Sequence, residues 1–370
     1  MLGMSNISHR DLYREVYSVL GMPIDRLDLT IACDRVETAA ASEAPFLLST
    51  PNLNFLASFD TDAELRESLL QSDLCTADGA PIVWLARLLG INLPERVAGS
   101  DLFDALRDTR RERPLRVFFF GGAEGVAEAA AARLAGSGLE VVGTHCPGFG
   151  SVEGMSGEEI LAKINGSGAQ LLIASLGAAK GQSWLMRNHG KLKVPVRVHL
   201  GAVINFQAGR VTRAPHVIRQ LSLEWLWRIK EEPHLWRRYA KDAAVLLRYT
   251  FTRVLPLAGL RIRHRRTAGE GELNVETISA EDKITLKLRG VGTAATANTA
   301  RAMFSSALDQ RKDIRLDLGQ LRYLDARFIG LLLMLRKECC SRDLKLRIEN
   351  PSVTTAKILR LHGRNYSAMR

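Results

Sequence analysis

Polar residues between Thr50 and Asp101 could carry out chemistry together. Thr50 and Asn52 lie in TPNLNF, Asp78 lies in ADGAPIVWLARLLG, and Arg96 lies in ERVAGSD. A carboxylate can take a proton from an attacking hydroxyl, as glycosyl transfer requires. Thr and Asn offer donors and acceptors to sugar hydroxyls, and an arginine can bind a diphosphate through paired hydrogen bonds. The stretch indicates an enzyme that acts on a charged, hydroxyl-rich substrate.

The same residues also have structural explanations. Asp followed by Gly, as at 78–79, is a common turn. The Thr-Pro-Asn sequence of 50–52 is typical of the loop after a strand. Arg96 could instead form a surface ion pair with Glu95 or Asp101. The position of Asp78 between a predicted strand and a helix favours the catalytic interpretation.

Two later loops could contact a nucleotide. Gly121 and Gly122 end the predicted strand LRVFFFGG, but the full GxGxxG pattern is lacking. Lys180 and Gln182 follow another predicted strand, in SLGAAKGQSW; a polar loop is the structural alternative. With Gly79, these four residues form the predicted substrate-binding set.

A metal site is not expected. Asp60 and Asp62 form an Asp-x-Asp pair that could hold a divalent ion bridging a diphosphate. However, Thr61 and Glu64 form a capping box at the same place, and carboxylates are favoured at a helix start. We therefore predict a metal-independent protein without a cofactor.

Apolar runs alternate with amphipathic stretches from residue 26 to about 205. Residues 115–122, 139–145, 169–177 and 194–202 read as buried strands, each near a helical pattern. This alternation predicts an α/β fold, a Rossmann-like and mostly parallel sheet with helices on both faces. In such sheets ligands bind beyond the carboxyl ends of the strands.

The net charge of +11 is concentrated in one segment. Residues 210–266 contain 14 Lys/Arg and 4 Asp/Glu, a balance of +10. The sequence contains no stretch of 18 or more uncharged apolar residues, so we predict no membrane-spanning helix. The N-terminus lacks a signal-peptide core, and five scattered cysteines favour a reducing compartment. We expect a cytoplasmic protein.

A basic, Trp-rich helical segment at 219–253 suits a membrane surface. Tryptophan rings sit at head-group depth and cations meet anionic lipids. Binding of single-stranded nucleic acid, which we do not expect, and a subunit interface are the alternatives. The predicted membrane-associating residues are Trp225, Trp227, Arg228, Trp236, Arg237 and Arg238.

Four regions are predicted along the chain: a catalytic domain at 1–209, a basic Trp-rich helical appendage at 210–260, a linker at 261–272, and a small α/β domain at 273–370.

Several ordered motifs resemble the WecG/TagA/CpsF glycosyltransferases over about residues 25–245. They are TPNLNF, the DG pair, RVAGSD, the strand ending in two glycines, GAVINFQAGRVTRAP and LEWLWRIKEEPHLWRRY. The resemblance implies inverting, metal-independent transfer from a nucleotide-sugar, often a UDP-sugar, to a polyprenyl-diphosphate-linked sugar at the cytoplasmic membrane face. It implies that Asp78 is the base, that Thr50 and Asn52 bind sugar, and that Arg96 is the essential arginine. The Trp-rich segment would match the family's appendage, which aids membrane attachment and covers the active site.

One loop departs from the family pattern. The family often reads Pro-Lys-Gln-Glu where this chain reads Ala179-Lys180-Gly181-Gln182. The glycine at 181 removes an expected donor contact.

Residues 273–370 are similar to a STAS domain. The usual Asp-Ser-x-Gly reads Asp325-Ala326-Arg327-Phe328 here. Ala326 has no hydroxyl, so the serine phosphorylation switch should be absent. We expect a docking or regulatory module with a protein partner.

We therefore expect a glycosyltransferase of exopolysaccharide or cell-surface polysaccharide synthesis, peripheral on the inner face of the membrane. The alternative is a non-catalytic regulator or scaffold that acts through the STAS-like domain. A homo-oligomer is compatible with the apolar helices.

Overall fold

The computed structural model describes residues 9–220 and 223–363. Its strands, in chain order, are β1 (Val16–Val19), β2 (Met22–Asp25), β3 (Phe46–Ser49), β4 (Leu74–Cys75), β5 (Leu115–Gly121), β6 (Leu139–His145), β7 (Leu171–Ser175), β8 (Val196–His199), β9 (Leu273–Ser279), β10 (Lys283–Gly292), β11 (Asp313–Leu324) and β12 (Leu346–Glu349).

The helices connect these strands. They are α1 (Leu29–Ser42), α2 (Leu53–Phe59), α3 (Ala63–Gln71), α4 (Ala80–Leu88), α5 (Gly99–Asp108), α6 (Val126–Leu134), α7 (Glu158–Gly166), α8 (Ala178–Asn188), α9 (Val203–Gln207), α10 (His216–Gln220), α11 (Glu224–Glu231), α12 (Trp236–Tyr249), α13 (Leu255–Arg263), α14 (Arg265–Glu270), α15 (Ala297–Asp309), α16 (Ala326–Ser341) and α17 (Val353–Leu361). Short 3-10 turns occur at Arg10–Tyr13, Gly154–Ser156 and Pro233–Leu235, and a π turn at Thr250–Val254.

Six strands form a wholly parallel sheet in the order β4-β3-β8-β7-β5-β6. Successive side chains of β5 point to opposite faces, because a strand has a period of two. Phe119 packs with helices α1, α5 and α6 on one face, and Phe118 and Phe120 pack with α7 and α8 on the other. The predicted α/β fold with helices on both faces is confirmed.

Four strands form a second, mixed sheet in the order β12-β11-β10-β9. Strands β10, β11 and β12 are parallel, and β9 is antiparallel to β10. Helices α15, α16 and α17 belong to this small α/β domain, as predicted for the C-terminal region.

By contacts, the described chain divides into two compact units. One comprises 27–83 and 94–246 and holds the six-stranded sheet; the other comprises the N-terminus to Arg26, 84–93 and the chain from Leu247 onwards, and holds the four-stranded sheet. Each unit therefore consists of segments that pack together but are not consecutive along the chain. The domain boundaries predicted from the sequence stay a prediction.

The N-terminal hairpin β1–β2 packs on helix α16 of the four-stranded unit. Arg327 of α16 is only 7 % exposed and donates hydrogen bonds to the carbonyls of Val16 and Arg14, at 3.2 and 3.3 Å. Lys337 lies 3.1 Å from the Asp11 carboxylate, and Glu338 accepts the Asp11 N–H at 2.9 Å. Charged residues on an otherwise apolar helix are thus matched by the start of the chain.

Three local expectations differ from the structure. Helix α3 is capped by Asp62, which accepts the Leu65 N–H at 2.9 Å, rather than by Thr61. Residues 265–270, expected to be a linker, form α14. We predicted no membrane span, but one helix, Pro233–Arg263, is long and apolar enough to cross a membrane by length and composition alone. Only 22 % of its apolar window is buried, and a single helix of this kind is weak evidence of a span.

Candidate active site

Asp78 and Thr50 lie together at the carboxyl edge of the parallel sheet. Thr50 directly follows β3, and Asp78 comes three residues after β4, its parallel neighbour. The Asp78 N–H donates to the Pro51 carbonyl at 3.0 Å, and the Val97 N–H donates to Ala77 at 3.0 Å. These bonds hold the three predicted segments side by side, so the sequence prediction of one shared site has a structural basis.

The Asp78 carboxylate accepts a hydrogen bond from the Gly99 N–H, in the first turn of α5. Position 99 is closely packed: a Cβ there would displace the end of the Leu200 side chain and lie 3.3 Å from the methyl of Thr50. A helix start presents unpaired N–H groups and favours negative charge. The start of α5 therefore holds the carboxylate.

Burial raises the pKa of Asp78 to about 7. The nearby Arg96 guanidinium and the Gly99 N–H oppose this rise in pKa, whereas the carboxylates of Glu224 and Asp101 add to it. A base works best when its pKa lies near the working pH. Asp78 thus has the electrostatic properties of a proton acceptor at neutral pH.

Arg96 does form the ion pair that was its structural alternative. Its guanidinium lies 2.6 Å from Asp101 and 3.3 Å from Glu224, at the start of α11. Arg213 and Arg219 also reach Asp101, at 2.5 and 3.2 Å. Three guanidiniums therefore converge on one carboxylate beside Asp78.

Sequence reasoning named Asp101 as a partner of Arg96 but missed Arg213, Arg219 and Glu224 as members of this cluster. The contacts join positions 112 to 128 residues apart, so local spacing could not reveal them. Two motifs quoted above contain members of the cluster: GRVTRAP contains Arg213, and LEWLWRIKEEPHLWRRY contains Glu224.

Asn52 is the N-cap residue of helix α2. Its side-chain oxygen accepts the N–H groups of Asn54 and Phe55, at 3.0 and 3.3 Å, at the start of α2. A sugar contact would therefore come from the amide nitrogen of Asn52. Thr50 is 6 % exposed and lies against Gly99.

Gly121 and Gly122 lie at the carboxyl end of β5, both with positive φ, at 104° and 81°. The Gly122 N–H donates to the Ser175 carbonyl at 3.0 Å, and a Cβ at Gly121 would lie 2.5 Å from that oxygen. The glycines thus permit close approach of two chain segments. A nucleotide contact from this pair stays a prediction.

Lys180 and Gln182 of α8 point to different surroundings. Lys180 donates to the Gly150 carbonyl at 2.8 Å. Gln182 is 1 % exposed, and its amide nitrogen donates to Ser49 Oγ at 2.6 Å. This burial gives Gln182 a structural role between α8 and β3, and its predicted contact with substrate stays a prediction.

His199, at the end of β8, is a second residue that sequence reasoning missed. It is 8 % exposed, its Nε2 has no hydrogen-bond partner among the described residues, and burial lowers its pKa to about 4. A Cβ on Gly181 would overlap the imidazole ring. Gly181, the residue that differs from the family pattern, therefore lies against the neutral, buried imidazole of His199.

Comparison with known proteins identifies the first region of the chain. A family model described as Glycosyl transferase WecG/TagA/CpsF family matches residues 17–258. The chain belongs to the WecG/TagA/CpsF family. It is therefore a glycosyltransferase, as the motifs predicted. A second model, described as Mlab, STAS domain, matches residues 276–365 and confirms the predicted STAS domain.

Two curated relatives of this WecG/TagA/CpsF protein share the name N-acetylglucosaminyldiphosphoundecaprenol N-acetyl-beta-D-mannosaminyltransferase. The Bacillus spizizenii protein is 28 % identical over 226 residues, covering 58 % of this chain and 85 % of its own length. The Staphylococcus aureus MW2 protein is 23 % identical over 225 residues, covering 60 % and 86 %.

Apolar side chains are exposed along the family's appendage. Of the fifteen large exposed apolar residues in the described chain, nine lie between 217 and 262. Trp225 and Trp236 are 44 % and 55 % exposed, whereas Trp227 donates to the Thr212 carbonyl at 3.0 Å. Arginines accompany the rings: Arg237 stacks on Trp236, and Arg238 stacks on Tyr239. Arg228 instead pairs with Glu232 at 2.7 Å.

Among residues 9–220 and 223–363, no group of three or more His, Cys, Asp or Glu is arranged to hold a metal ion. Asp62 serves as a helix cap. Metal independence stays a prediction.

Proposed function

We propose that this protein transfers a sugar, with inversion, from a nucleotide-sugar such as a UDP-sugar to a polyprenyl-diphosphate-linked sugar in cell-surface polysaccharide synthesis. The name that its two relatives share supports an N-acetylhexosaminyl donor and a diphosphate-linked N-acetylglucosamine acceptor. The observation that carries the proposal is the Asp78 carboxyl, held by the Gly99 N–H, with its pKa raised to about 7 beside three arginines.

In this proposal Asp78 accepts the proton of the acceptor hydroxyl as that oxygen attacks the donor sugar. Near neutral pH a large fraction of the carboxyl is ionised, and its partial desolvation strengthens it as a base. Thr50 lies close enough to bind a hydroxyl of the same sugar, because its side chain contacts Gly99.

Arg96, Arg213 and Arg219 bind diphosphate oxygens and stabilise the leaving group. Arginine suits this role because its planar fork binds phosphate through two hydrogen bonds. The guanidinium of Arg96 now touches Glu224 at 3.3 Å, the longer of its two ion pairs. Diphosphate would displace this weaker contact and leave the Asp101 contact in place.

The appendage attaches the protein to the inner face of the membrane. Exposed tryptophans with stacked arginines are suited to the interface between head groups and acyl chains. Attachment would concentrate the enzyme where a lipid-linked acceptor lies.

The proposal is tested by radiolabelled transfer from UDP-N-acetylmannosamine to a synthetic polyprenyl-diphosphate N-acetylglucosamine. We expect turnover that survives EDTA and falls at least 100-fold in Asp78→Asn, a typical effect of losing a general base. Asp62→Asn is the matched control, since asparagine also caps a helix. Undiminished turnover in Asp78→Asn would exclude the proposed base, and loss of turnover with EDTA would exclude metal independence.

A further inference from the structure

A cavity of about 320 Å³ lies in the unit that contains the four-stranded sheet. Its apolar wall includes Leu89, Ile91, Leu257, Leu260 and Ile358. The volume is at the lower end of the range for small-molecule sites. The cavity is large enough for part of an aliphatic chain.

One residue that lines this cavity, Thr293, carries a buried hydroxyl without a partner among the described residues. Thr293 is 5 % exposed, and its Oγ1 makes no hydrogen bond to the part of the chain that the structure describes. A buried polar group without a partner costs about 1–3 kcal/mol in typical proteins. A ligand oxygen in the cavity would remove that cost.

Cations outnumber anions around the cavity. Arg261 and Arg265 line it and are exposed. The guanidinium of Arg261 lies over Gly90, where a Cβ would overlap it. Asp325 also lines the cavity, but its two carboxylate oxygens accept the N–H groups of Phe328 and Ala294, both at 2.8 Å. Arg261 and Arg265 therefore present positive charge to a ligand in the cavity.

The cavity includes the start of helix α16, the position at which the resemblance to STAS domains implies a serine. Ala326 stands there and lines the cavity. Helix α13, which precedes the STAS match, supplies Leu257, Leu260 and Arg261 to the same cavity. The site is thus built jointly by the STAS domain and the chain before it.

We propose that this cavity binds an amphiphile with an aliphatic chain and an anionic head group, a phosphate or a carboxylate. The chain lies against the leucines, the head group lies between Arg261 and Arg265, and one head-group oxygen accepts the Thr293 hydroxyl. This site is distinct from the residues assigned to sugar transfer, all of which belong to the other compact unit.

The test is calorimetric titration of the full-length protein with dodecyl phosphate and dodecanoate below their micellar concentrations. Dodecyl maltoside and inorganic phosphate serve as head-group and chain controls. We expect at least one anionic amphiphile to bind about tenfold more tightly than either control, as one charge-assisted contact allows. The comparison of dodecyl phosphate with dodecanoate shows whether the cavity prefers a phosphate or a carboxylate head group.

Variants assign the binding to this cavity. Thr293→Val keeps the shape and removes the hydroxyl, and Arg261→Gln with Arg265→Gln removes the charges at an exposed surface. We expect both to weaken binding about tenfold with an unchanged circular dichroism spectrum. Arg263→Gln on the same helix and Thr277→Val on an exposed strand are matched controls. Equal binding of the neutral amphiphile or of inorganic phosphate, or equal loss in the controls, would overturn the proposal.

Discussion

Gly181 lies directly beneath the imidazole of His199, so that no Cβ fits between them. The family's usual glutamine at 181 cannot coexist with this ring position. The imidazole is neutral at physiological pH, because burial lowers its pKa to about 4. This neutral ring lies at the carboxyl end of β8, and its Nε2 has no hydrogen-bond partner in the part of the chain that the structure describes.

Gly181→Ala should lower the free energy of unfolding by about 1–3 kcal/mol, the usual cost of overpacking. The loss should be smaller when His199→Ala is also present, because the ring that causes the overlap is then gone. A double-mutant cycle by denaturant unfolding measures this coupling. Gly166→Ala is the control, since nothing lies within 4 Å of a Cβ there; strict additivity of 181 and 199 would contradict the explanation.

The activity should depend on pH through Asp78. A base must be ionised, so kcat/KM should rise as pH passes through about 7, the raised pKa of Asp78. A rate profile from pH 5 to 9 with a fixed acceptor checks this. A profile that is flat between pH 6 and 8 would show that another group accepts the proton.

Substitutions of two charged residues near Asp78 should move the rising part of the kcat/KM profile, here called the limb, in opposite directions along the pH axis. Glu224→Gln removes a carboxylate that raises the pKa of Asp78, so the limb should move to lower pH. Arg96→Gln removes a guanidinium that lowers this pKa, so the limb should move to higher pH, together with a loss of rate. Both are measured from kcat/KM profiles, and shifts of the same sign would contradict the electrostatic assignment.

The ionised carboxylate of Asp78 should lower the free energy of unfolding at high pH. Its pKa is higher in the folded protein, about 7 against 3.8, so the folded state is favoured by protonation and the cost is complete only above pH 7. Asp78→Asn should therefore raise the thermal midpoint at pH 8 by a few degrees, with less gain at pH 5. Asp34→Asn, at an exposed site of α1, is the control; an equal gain at both pH values would argue against the linkage.

Membrane binding should depend on the appendage. Trp225→Ala with Trp236→Ala should reduce sedimentation with anionic vesicles about tenfold or more, since each ring buries a large apolar area in the interface. Trp84→Ala removes a tryptophan of similar exposure, 46 %, outside the appendage. Equal sedimentation of all three proteins would mean that attachment lies elsewhere.

The sequence was sufficient for the sheet and for the grouping of Thr50, Asp78 and Arg96. Strand periodicity and the rule that ligands bind beyond the carboxyl ends of parallel strands depend only on local pattern. The small C-terminal α/β region also follows from its strand and helix order, whereas the two compact units do not, because they join segments that are distant along the chain.

The remainder of the site depends on contacts that no local pattern encodes. The arginines at 213 and 219 meet Asp101 only after more than 110 residues of chain have folded. The raised pKa of Asp78 depends on burial, and the overlap at Gly181 depends on a ring from another strand. Gln182 looked like a loop residue, but the start of α8 turns it inward to Ser49.

The pairing of Arg327 with the carbonyls of Val16 and Arg14 has a consequence for synthesis on the ribosome. The hairpin emerges before its partner helix, whose Arg327 is translated 311 residues after Val16. At bacterial or eukaryotic elongation rates that interval is roughly 15–60 s. Throughout that interval the hairpin lacks the helix on which it packs in the folded protein, and the carbonyls of Val16 and Arg14 lack the Arg327 guanidinium that they accept from.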